Sequence, residues 1–162
     1  MPDTSNRQSA DMQRAHDAYK KVETVAANRD DKYKGEYKSQ AKKFGALVMT
    51  SGLGAAMSFL FSKRKKAAYN QLYSDISTWV VEQVKFEKQE GKDLLRLLMA
   101  NSSADYRLAT TEAIAYATWV KRWVEGLLAD VKDVDDSGID EDQTNAKLRT
   151  ARRYQPQRRP RC

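Results

Sequence analysis

Lys34, Lys38 and Lys42 recur at every fourth position, so on a helix they form one cationic row. Like charges at that spacing repel by roughly 0.3 kcal/mol per pair. A phosphodiester strand lying alongside turns the repulsion into attraction and releases counterions. With no such strand the row is a solvated helix face, and periodicity alone leaves both readings open. A second cluster, Lys63-Arg64-Lys65-Lys66, is contiguous and falls between two expected helices, where basic residues also serve to cap helix ends. Lys121 and Arg122 point away from the expected core side of a later helix and can reach phosphate. The chemistry these three groups share is neutralisation of a polyanion.

Other chemistries find less support. His16 and Cys162 are the only residues of their kind, which removes an internal disulfide and any histidine-based cluster within the chain. His16 sits on the outer side of its helix with no partner for nucleophilic catalysis. Gly91-Lys92 lacks the upstream glycine and the following Ser/Thr of a phosphate-binding loop. Asp133-x-Asp135-x-Ser137-Gly138 matches the first half of a calcium loop, but the twelfth position is Thr144 where a bidentate Glu is needed. No catalytic residue, metal ligand or cofactor is assigned, and a non-enzyme is expected.

The elements that must carry these residues read as helices. The chain has 162 residues, enough for one ordinary domain, with 41% hydrophobic residues to build its core. Only seven Gly and three Pro argue against a turn-rich β fold. Apolar residues step by three or four through five or six segments: about 9–27, 31–50, 53–61, 66–88, 93–99 and 103–131. The expected fold is all-α, a compact helical bundle covering 1–131. Residues 132–162, acidic and then basic, read as a tail that is disordered or ordered by a partner, because they have little to bury.

On the last helix Glu112, Tyr116, Trp119 and Trp123 form a stripe beside a face of small residues. Such a stripe fits a central helix touched by two neighbours; alternatively, Trp119 and Trp123 dock another subunit. Residues 44–61 lack charge for eighteen positions, the lower limit for a membrane span, but glycine and hydroxyl residues dilute them. Two helices broken near Gly52 are expected instead, and no membrane partner. The first residues lack the apolar core of a secretory signal, so a soluble, intracellular protein is expected. Its net charge of +7 favours polyanionic partners.

Two stretches resemble a known family. Leu47-Val48-Met49-Thr50-Ser51-Gly52-Leu53-Gly54, continuing to Leu60, is similar to a segment of the small subunit of the Cmr effector complex of type III-B CRISPR systems. Tyr106-Arg107-Leu108-Ala109-Thr110-Thr111-Glu112-Ala113, followed by Trp119-Val120-Lys121-Arg122-Trp123, resembles a later helix of the same family. Ser51 replaces the family's usual Asn, and Phe44-Gly45 stands where a Leu-Pro pair is common. The resemblance implies a non-catalytic helical subunit of an RNA-guided ribonucleoprotein in the prokaryotic cytoplasm, acting in antiviral defence. It would stack on RAMP-type backbone subunits, meet the large subunit and copies of itself, and line the channel holding CRISPR RNA and target RNA. A purely structural spacer without RNA contact is the alternative.

Overall fold

Ser9 opens the first helix: its hydroxyl accepts the Met12 amide, and α1 runs Ala10–Ala26. Asp30 does the same for α2 (Asp31–Ser51), its carboxylate accepting from the Lys32 and Tyr33 amides. Gly52, at φ +87°, breaks the apolar run and starts α3 (Leu53–Ser62). The rest are α4 (Ala67–Gln83), α5 (Leu94–Ala100) and α6 (Ser103–Leu127). The computed structural model describes residues 9–89, 91 and 93–135, and among them these six helices are the only regular elements. No helix among the described residues is long and apolar enough to cross a membrane.

The bundle is assembled around α6, whose Ala109, Ala113 and Ala117 are buried and let α1 and α2 approach closely. Tyr37, Phe44, Met57, Leu60, Tyr69, Leu72, Ile76 and Val120 fill the shared core. On α1 the apolar spacing puts Met12, Ala15, Tyr19, Val22 and Ala26 on one face; the structure buries Ala15 and Val22 of these, together with Ala18 and Val25, and leaves Met12 exposed. On α6, Tyr116 joins the core although its register suggested a flanking position.

Helix α4 ends five residues before the expected Lys88. Val84 takes extended backbone and is buried with Phe86, while the Asn101 side chain accepts the Lys88 amide and donates to the Lys88 carbonyl. Ser77 of α4 then supplies an acceptor to the Leu94 amide at the start of α5. These side chains satisfy backbone groups that a longer helix would have paired internally. Ser102 caps α6 by accepting the Asp105 amide, the first half of a capping box.

Residues 132–135, the first four of the expected tail, lie along α2. The Val134 amide donates to the Gly35 carbonyl, and a Cβ at Gly35 would run into the Lys132 carbonyl oxygen and a Val134 methyl. The remainder of that tail, including Ser137, Gly138 and Thr144 of the half calcium loop, lies outside the described residues.

Candidate nucleic-acid interface

The lysine row on α2 is not the bare solvated face that its spacing suggests. Lys34 pairs with Asp31 one turn back, at 2.8 Å. Lys38 is turned inward, only 9% exposed. Its ammonium donates to the Leu128 and Val131 carbonyl oxygens, both at 2.9 Å, and lies 3.6 Å from Asp133. The Leu128 carbonyl caps the C-terminal end of α6, where the helix dipole favours a cation, and the Val131 carbonyl lies in the turn just beyond. Lys42 binds Asp133 at 2.6 Å, and Lys43 binds Asp135, which also accepts from the Ser39 hydroxyl. The hydrogen bonds from Lys42 and Lys43 hold the Asp133 and Asp135 carboxyls below the usual aspartate range.

Lys63, Arg64, Lys65 and Lys66 form the turn between α3 and α4, and an aromatic floor organises them. Lys63 lies over the Phe59 and Tyr69 rings, Arg64 over Phe61 at 4.2 Å, and Lys66 over Tyr69. Phe59 also lines a groove of about 610 Å³ between α2 and α3, together with Lys43, Leu47, Thr50, Ser51, Ala55 and Asp135. Phe59 thus shares that groove with Lys43 and carries Lys63 over its ring. From Tyr37 to Ser74 the chain has seven Lys and Arg and no acid, so both clusters arise from one stretch of a single charge sign. Cations interleaved with aromatic faces suit a single strand, whose phosphates need charge and whose bases can stack.

Lys121 and Arg122 are exposed on α6, with Arg122 over the Trp119 ring at 4.9 Å. Arg122 thereby joins the α1-facing side of that helix through Trp119, whereas Lys121 lies about 200° round the helix from that ring. The two tryptophans proposed for subunit docking lie against α1. Trp119 donates to Asp11, and Trp123 donates to the Ala15 carbonyl and meets Tyr19 edge-on at 5.1 Å. Glu112, the first member of their stripe, binds Arg14 of α1 through both oxygens at 2.7 and 2.8 Å and accepts the Trp79 indole. The Arg14 hydrogen bond lowers its pKa.

Lys43, Phe59 and the acidic pair Asp133/Asp135 were missed as members of one region. A signal for the acids' docking place was present in Gly35: glycine inside a helix costs about 1 kcal/mol against alanine, which points to a close backbone approach. Among the described residues no group of three or more His, Cys, Asp or Glu could hold a metal ion.

Comparison with known proteins follows the same region. Residues 10–127 match the sequence model of the family described as CRISPR-associated protein (Cas_Cmr5). The chain is 32% identical over 117 residues to the CRISPR system Cmr subunit Cmr5 of Thermus thermophilus, covering 70% of this chain and 91% of that protein. The crystal structure of a CRISPR-associated Cmr5 family protein from the same organism superposes with a TM-score of 0.61. That likeness comes at 29% identity, over 75% of this chain and 99% of the other.

Proposed function

This chain belongs to the Cmr5 family and is a small subunit of the type III-B CRISPR Cmr complex; from that premise we propose that it holds RNA by charge and shape, without chemistry of its own. In this reading it stacks along the RAMP-type backbone subunits, beside the large subunit and further copies of itself, in the cytoplasm and in antiviral defence. Base pairing between CRISPR RNA and target supplies the sequence specificity, and the small subunit neutralises phosphate along a single-stranded stretch of the RNA beside it.

The observation that supports RNA contact best is the acid-free stretch, whose two cationic clusters meet at Phe59: Lys43 lines its groove and Lys63 lies over its ring. Lys63, Arg64, Lys65 and Lys66 come first as phosphate contacts, followed by Lys42 and Lys43 of α2. Lys121 and Arg122 form a separate, secondary site, and Lys34 and Lys38 support the row from within. In the assembled complex, Lys63→Glu with Arg64→Glu should weaken target-RNA binding about tenfold at low salt and flatten the salt slope by about 1.4. Unchanged affinity and slope reject the reading.

The spacer alternative draws on a specific observation: the α2 lysines already have acidic or carbonyl partners within the chain. It predicts normal RNA binding by the same double variant, so one titration separates the two.

A further inference from the structure

The acids that cover α2 sit where a phosphate strand would sit. Asp133 is held by Lys42 and faces Lys38, and Asp135 is held by Lys43 and Ser39. Asp135 also lines the Phe59 groove, so the same carboxylate that neutralises Lys43 shares that groove with the aromatic ring. The two carboxylates are thus placed, one residue apart, as successive anions along a row of cations.

What fastens this segment is slight. One backbone hydrogen bond joins Val134 to Gly35, at 3.2 Å, and the approach depends on Gly35 having no side chain. The Lys42–Asp133 and Lys43–Asp135 pairs are solvent-accessible, with side chains between 34% and 58% exposed. Ion pairs of that kind contribute little and weaken further with salt. Polyanions have an advantage over them, because many phosphates act on the same row at once.

We infer that residues 132–135 are a carboxylate strap that stands in for RNA phosphates on α2 and is displaced when a strand binds. The inference rests on the proposed RNA contact. In the free subunit the strap keeps the α2 cations internally neutralised; once RNA displaces it, Lys42, Lys43 and the Phe59 groove become available together. Lys38 keeps its carbonyl acceptors at Leu128 and Val131 throughout, since both precede the strap.

The test uses the full-length free subunit and a short single-stranded oligouridylate. Asp133→Asn with Asp135→Asn removes the competing charge, and Gly35→Ala expels the strap while leaving every charge in place. Both variants should bind RNA on the order of tenfold more tightly than the parent, with a salt slope steeper by about 1. In the parent, the Val134 amide should lose its hydrogen-exchange protection as RNA is added. If the parent binds RNA but neither variant binds more tightly, or Val134 stays protected in the bound state, the strap is a structural clasp and the inference fails alone. If neither the parent nor any variant shows salt-dependent binding, the RNA reading fails with it. Gly35→Ala favours the helix intrinsically, so its measurement stands even if the double Asn variant loosens the fold.

Discussion

Asp75 is 4% exposed and carries two side-chain hydrogen bonds, from the Tyr37 hydroxyl at 2.7 Å and from Gln71 at 2.8 Å. Burial nevertheless outweighs them and raises its pKa above the ordinary 3.8. A carboxyl raised on folding favours the folded state most when it is protonated, and this contribution is lost as pH rises through the raised value. Asp75→Asn should therefore flatten stability over that window and cost less than about 1 kcal/mol above it. Asp75→Ala strands the Tyr37 hydroxyl in a dry site and should cost about 2–3 kcal/mol. Urea melts on both sides of the aspartate range check both. Glu112 has the opposite sign: Arg14 holds its pKa down, so its contribution is present at neutral pH and fades in acid.

Helix α1 is fastened to α6 by side chains that one could also read as an external docking patch. Trp123 fills the space against Tyr19 and uses its indole N–H on the Ala15 carbonyl. Trp123→Ala should cost about 3 kcal/mol and release α1 amides to hydrogen exchange before those of α4. Loss of co-purification with other subunits at unchanged stability would instead assign the ring to a neighbour. Helix positions were legible because periodicity and caps are local: the break falls at Gly52 as expected, and Ser9, Asp30 and Ser102 cap helices that start within a residue of the expected 9, 31 and 103. The early end of α4 was not, because Asn101, thirteen residues away, holds Lys88 out of the helix. On α1, Ala15 and Val22 were legible as core positions, whereas Ala18, buried completely, gives no hydrophobic signal comparable to Tyr19. Lys42 and Asp133 are 91 residues apart, and no local pattern pairs them.

Across the molecule, charge sign changes along the chain: an acid-free cationic stretch at 37–74 is met, on α2, by the acids at 133 and 135. The expected division at 131 therefore falls just before residues that have a place on the bundle. A chain ending at Val131 should melt a few degrees below one ending at Asp135, measurable by circular dichroism. Those four residues also tie the segment that follows α6 to the helix that bears Lys42 and Lys43. A residue from outside both α2 and α3 governs how that surface is presented. The Tyr106 hydroxyl of α6 accepts the Gly54 amide at 2.9 Å and stands against Gly52, so the bend from α2 into α3 is clamped from the core. The angle between Lys43's helix and the one that ends just before Lys63 is thereby fixed by a hydroxyl from a third element, so loosening Tyr106 would unseat both at once.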